Sequence, residues 1–84
     1  MNYNFEDNRI FVNNEAGDKI AEICFEKVNE NTYNITHTYV SPEYRGQHIA
    51  DKLVREAVNY IKQRNCNVEA SCSYAQKWIA AHGA

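Results

Sequence analysis

Two hydrophobic periods divide this chain. Up to Val40 the apolar residues recur at every second position, and after Gly46 they recur every third or fourth, so a sheet-forming half precedes a helical half. Tyr3-Asn4-Phe5 and Ile10-Phe11-Val12 read as short strands around Glu6-Asp7-Asn8-Arg9, an opening hairpin. From Lys19 to Val28, Ala21, Ile23 and Phe25 alternate with Glu22, Cys24 and Glu26, which predicts a strand with one polar face and sets Cys24 opposite the apolar residues as a structural free thiol. Asn29-Glu30-Asn31 turns it into Thr32 to Val40, a run dense in β-branched and aromatic residues. Period two puts Tyr33, Ile35, His37 and Tyr39 on one face. His37 then sits among apolar neighbours unless a bulge shifts the register.

Ser41-Pro42 breaks the strand, with Pro suited to open a short helical turn. The spacing then predicts a helix from about Gln47 to about Arg64, buried along Ile49, Leu53, Ala57, Tyr60 and Ile61, with an outward Asp51–Arg55 pair. Asn65-Cys66-Asn67 ends it, since Asn tolerates the left-handed conformation of a C-terminal cap. Val68 to Cys72 follows as a strand reached through a helix, so it should lie parallel to the strand before that helix. A last helix starts near Ser73, where Ser73-x-x-Gln76 fits a capping box and Trp78 is a core anchor. The predicted class is α/β with a mixed (α+β) sheet: N-terminal antiparallel strands, then a β-α-β unit with one parallel pair, then a C-terminal helix.

Composition narrows the function. Eighty-four residues make one domain, residues 1–84, with a modest core, and 44% hydrophobic residues are too many for disorder. The formal charge of −2 argues against nucleic acid or an anionic membrane as partner. Its distribution is uneven, −4 over residues 1–40 and +2 over residues 41–84, so an anionic ligand belongs with the second half. Three cysteines without a Cys-x-x-Cys pair, and no His at zinc spacing, imply a reducing compartment and no metal. The start of the chain lacks the pattern of a signal peptide and no uncharged stretch approaches membrane-spanning length, so the expected location is the cytoplasm, as a monomer or weak homodimer.

The chemistry gathers where the periods change. A strand feeding a turn with Arg45 and Gly46 that opens a helix offers free N–H groups and the positive end of a dipole to an anion, although a plain strand-to-helix corner fits the spacing equally well. Cys72 precedes a predicted helix N-terminus, a setting that favours thiolate, although from the sequence alone a small structural residue closing a strand is the favoured reading. In open α/β sheets ligands collect beyond the carboxyl ends of parallel strands, which here present Thr38 to Val40 and Ser71 to Cys72.

Arg45-Gly46-Gln47-His48-Ile49-Ala50 resembles the acyl-coenzyme A pyrophosphate loop of the GNAT N-acetyltransferase superfamily, Arg/Gln-x-x-Gly-x-Gly/Ala, with His48 standing where Gly is usual. His37-Thr38, Ser41-Pro42-Glu43 and Cys72-Ser73-Tyr74 resemble a small single-domain GNAT-like subfamily with a cysteine near the coenzyme. The resemblance implies a minimal GNAT fold and acetyl-coenzyme A as cosubstrate. It puts the diphosphate on residues 45–50 and the pantetheine arm along Thr38, Tyr39 and Val40, with Ser73 and Tyr74 nearby. It further implies transfer to an amine, of a small molecule or a protein, by direct attack or through an acetyl-Cys72 intermediate, with His37 as general base. A non-catalytic coenzyme A-binding or interaction module is the competing expectation.

Overall fold

The computed structural model describes residues 2–83. The alternating half forms β1 (Asn2–Glu6), β2 (Arg9–Asn13), β3 (Lys19–Asn29) and β4 (Thr32–Val40), each antiparallel to the next. A 3-10 turn, Pro42–Tyr44, leads to α1 (Ile49–Lys62), β5 (Asn67–Ala70) and α2 (Ser73–His82). β5 joins the sheet beside β4 and parallel to it, so strand order follows chain order. The class is the mixed α/β fold that the pattern predicts.

The core lies between one sheet face and α1. Ile10, Val12, Ala21, Ile23, Phe25 and Ile35 are buried on that face, and Leu53, Val54, Ala57, Val58 and Ile61 meet them from the helix. Each large aliphatic side chain so buried contributes roughly 1.5–3 kcal/mol, which is how a small sheet holds a single helix across it. The stripe on α1 is wider than predicted, because Val54 and Val58 are buried, while Tyr60 is half-buried at its edge with its ring 5.4 Å from that of Phe25. Trp78 is buried as expected, and its indole N–H donates to the Asp51 carboxylate at 2.7 Å, tying α2 to the first turn of α1.

Several boundaries differ from the sequence reading. α1 begins at Ile49 rather than Gln47 because Gly46 (φ 85°) and His48 (φ 62°) are both left-handed, which keeps the chain from entering the helix earlier. Asn65 (φ 59°) adopts the left-handed conformation beyond its end. β5 stops at Ala70, short of Cys72. Cys72, not Ser73, is the N-cap of α2, and no side chain caps it; the expected capping box is absent, and Gln76 instead donates from Nε2 to the Ala70 carbonyl at 2.9 Å.

The most consequential difference lies in β4. Phe25 pairs with Ile35 and Cys24 with His37, so Thr36 is an extra residue bulging from the ladder. Beyond it the alternation inverts: Thr38 and Val40 oppose the buried Ile23 and Ala21, whereas His37 and Tyr39 oppose Cys24 and Glu22 on the other face. That face carries polar side chains, among them Arg9 bridging Glu6 and Glu22 with Lys19 also on Glu22. His37 is thus exposed rather than set among apolar neighbours, and Tyr39 shares its face.

Candidate active site

Hydrogen bonding between β4 and β5 ends where Ser71 N–H and Cys72 N–H both donate to the Ile35 carbonyl, at 3.0 and 3.3 Å. Past this point the two strands part. The bulge contributes, since it turns Thr38 toward the helix side, where its hydroxyl lies 3.5 Å from the Cys72 sulfur. A cleft of about 400 Å³ opens from Thr38 and Val40 toward the turn, with Tyr44, Arg45, Gly46 and His48 on one side, Ile49, Ala50 and Asp51 of α1 at its back, and Tyr74 of α2 facing them.

The turn is built to stay open. Ser41 N–H donates to the Ile20 carbonyl at 2.7 Å, which anchors the end of β4, and Tyr44 N–H returns to the Ser41 carbonyl at 2.9 Å. Asn14 reaches the Tyr44 hydroxyl at 3.3 Å from the β2–β3 connection. Arg45 donates from Nε to the Val40 carbonyl at 3.3 Å, folding its guanidinium over the strand end and toward the cleft it lines. The first helical bond of α1 runs from Lys52 N–H to the His48 carbonyl, so the amides of Ile49, Ala50 and Asp51 have no helical partner. Free amides, the helix dipole and a guanidinium together suit a phosphate group.

At the other end stands Cys72, half-buried at the start of α2. Burial pushes its thiol up, but the Thr38 hydroxyl and the N–H groups of Ala75, Tyr74 and Thr38 outweigh it, so the thiol is held below its ordinary value. Cys24 contrasts: burial and the nearby Glu22 carboxylate push its thiol up. Burial together with Asp51 likewise raises the Tyr74 phenol, which therefore keeps its proton at neutral pH. Asp51 itself is held below the usual carboxylate range, chiefly by the Trp78 indole N–H and also by Arg55 and His82.

Of the residues singled out from sequence, Thr38, Val40, Arg45, Gly46, His48, Ile49, Ala50 and Tyr74 line this one cleft, and Cys72 adjoins it through Thr38. Gln47 is exposed on the turn and Ser73 on the first turn of α2, neither lining it. His37 and Tyr39 stand across β4 from the cleft, a placement the period-two reading missed because a bulge leaves no periodic trace. Tyr44 is not among the residues singled out, and Asp51, read from the sequence only as half of an outward pair with Arg55, also faces the cleft. Adjacency to Arg45 and a place in the first helical turn were the signals that point to them. Among the described residues no group of three or more His, Cys, Asp or Glu could hold a metal ion, and no helix is long and apolar enough to cross a membrane.

A mixed sheet splayed at its parallel pair, with a helix N-terminus closing one end of the cleft, defines a GNAT-type α/β domain. Residues 9–84 match the family model for GCN5-related N-acetyl-transferases, and the chain belongs to that family. It is similar over 95% of its length to a GCN5-like protein from Staphylococcus aureus whose solution structure is known, at 30% identity and a TM-score of 0.77, covering 78% of that protein. The crystal structure of Rv2747 from Mycobacterium tuberculosis in complex with coenzyme A shares the fold at a TM-score of 0.75 and 14% identity, over 90% of this chain and 47% of that one. Among curated proteins, Protein NATD1 of Danio rerio is 32% identical over 66 residues, 79% of this chain, and that of Homo sapiens 29% identical over 59 residues, 70% of this chain. This chain spans only 59% and 52% of the length of those two relatives.

Proposed function

We propose that this chain transfers an acetyl group from acetyl-coenzyme A to an amine, with the diphosphate on residues 45–50 and the thioester beside Cys72. The observation that carries the proposal is the shared cleft: the anion-suited corner and the hydrogen-bonded Cys72 thiol are joined by Thr38 and Val40 on one side of the β4–β5 gap. Family membership and the coenzyme A bound by a structural neighbour support the choice of ligand.

Cys72 supplies the nucleophile. Its thiol gives its proton to solvent, the thiolate attacks the thioester carbonyl carbon, the carbon–sulfur bond to the coenzyme breaks, and an acetyl-cysteine forms. Charge leaves the Cys72 sulfur as it builds on the carbonyl oxygen, and the Thr38 N–H that favours the thiolate then becomes available to that oxygen. Tyr74, protonated at neutral pH and lining the cleft, gives its proton to the departing coenzyme thiolate. His37 has no path to the Cys72 proton from across β4. The acceptor amine then attacks the acetyl carbonyl carbon, the bond to the Cys72 sulfur breaks and returns the thiolate, and the amine's proton passes to the Tyr74 phenolate, while His37, on the far face of β4, stands outside this scheme.

Mass spectrometry after mixing with acetyl-coenzyme A tests the scheme. A single acetyl adduct that Cys72→Ala abolishes, with release of free coenzyme thiol, is the expected result. Tight coenzyme A binding in calorimetry without adduct or thiol release, across varied amines, would leave a binding module instead.

A further inference from the structure

The same cleft would hold more than a thioester. We infer that Cys72 also exchanges with the disulfide of coenzyme A, so that an oxidising shift converts the chain into a coenzyme A mixed disulfide at this cysteine. The inference rests on the coenzyme-binding reading of the cleft, because only that reading brings a coenzyme sulfur to residue 72.

The three cysteines have different surroundings. Cys72, half-buried at the start of α2, has its Sγ 3.5 Å from the Thr38 hydroxyl, and Thr38 lines the cleft of about 400 Å³ that the sulfur adjoins. Cys66 instead points its sulfur at the backbone carbonyls of Glu30 and Arg64, 3.8 and 3.5 Å away, on the side of the turn after α1 and not at the cleft. Cys24 sits on the open sheet face between Arg9 and His37, away from the cleft, with Glu22 against its ionisation. Thiol–disulfide exchange goes through the thiolate, so the reaction is directed to the cysteine that adjoins the cleft and whose neighbouring Thr38 hydroxyl is able to donate to sulfur.

The step balances without an outside reductant or metal. The Cys72 sulfur attacks one sulfur of coenzyme A disulfide and a new sulfur–sulfur bond forms as the coenzyme's own breaks. The second coenzyme half leaves as thiolate and takes a proton from solvent. Cys72 is oxidised and the departing half reduced. The half that stays keeps its diphosphate at the Arg45 corner, whose amides and guanidinium give coenzyme A disulfide an advantage that oxidised glutathione lacks. With its nucleophile capped and its cleft filled, the adduct cannot accept an acetyl group until a thiol reductant releases it.

The test incubates the protein at pH 7 with coenzyme A disulfide and, in parallel, with oxidised glutathione at the same concentration, following intact mass and peptide maps. One coenzyme A should add at Cys72, more than about tenfold faster than glutathione, because binding raises the local concentration of the reacting sulfur. S-methyl-coenzyme A should slow the reaction, dithiothreitol should reverse it, and Cys24→Ser and Cys66→Ser should leave it unchanged. Mapping on the wild-type chain removes any dependence on how a Cys72 variant folds. Equal rates with the two disulfides, or an adduct on Cys24 or Cys66, would overturn the inference. Calorimetry with S-methyl-coenzyme A separates the two proposals: binding without preferential exchange sinks this one alone, and absence of binding sinks both.

Discussion

Cys72 and Cys24 are the same residue type given opposite tendencies by their neighbours. Around Cys72, the Thr38 hydroxyl and the N–H groups that open α2 outweigh burial, whereas around Cys24 burial and Glu22 act together. Alkylation followed against pH should therefore place the midpoint for Cys72 below that of an ordinary thiol and the midpoint for Cys24 above it. Thr38→Val, which keeps the shape and removes the hydroxyl, should move the Cys72 midpoint up and leave that of Cys24 alone. His48 makes a different point. An L-residue in the left-handed region gives up about 1–2 kcal/mol, although His is among the side chains that tolerate it best. Glycine there relieves the strain and adds roughly 0.5–1 kcal/mol of backbone entropy to be lost on folding. His48→Gly should gain ~0.5–1 kcal/mol in urea unfolding, and an unchanged or lower stability would show that the imidazole holds the turn.

At the scale of elements, α1 and α2 meet over a polar contact as well as an apolar one. Trp78 is buried and aims its indole N–H at Asp51, which also pairs with Arg55 at 3.7 Å. Because the Asp51 side chain is 36% exposed, solvent screening should bring the bond to ~1 kcal/mol, below the usual range for a charged acceptor. Trp78 also packs, so Asp51→Asn is the cleaner probe. The folded carboxyl is held below its unfolded value, so its contribution is complete above the unfolded pKa and disappears as the pH falls through the folded one. The stability gap between wild type and Asp51→Asn should thus be widest near neutrality and close under acid conditions; a gap that does not vary with pH would assign the effect to packing. The capping box at Ser73 belongs to this scale too. It was a sound local pattern, but the partner of Gln76 became the Ala70 carbonyl once β5 had stopped two residues early.

Taken whole, the molecule is a single helix-covered sheet with little core to spare. Leu53 is fully buried between α1 and the sheet, so Leu53→Ala should lose roughly 2–5 kcal/mol. In a domain this small that is a large part of the total, and urea unfolding should show a collapsed midpoint rather than a modest shift. The order of elements, the antiparallel start, the parallel β4–β5 pair, the Arg45 corner and the buried face of α1 are all legible along the chain. Those features follow from period, turn chemistry and helix spacing, which act between near neighbours. Only the tertiary structure decided which face of β4 carries His37 and Tyr39, that Thr38 meets Cys72, and that Asp51 and Tyr44 enter the cleft. One extra residue at Thr36 reverses every side chain after it, and a bulge is settled by pairing with β3 rather than by the residues that form it.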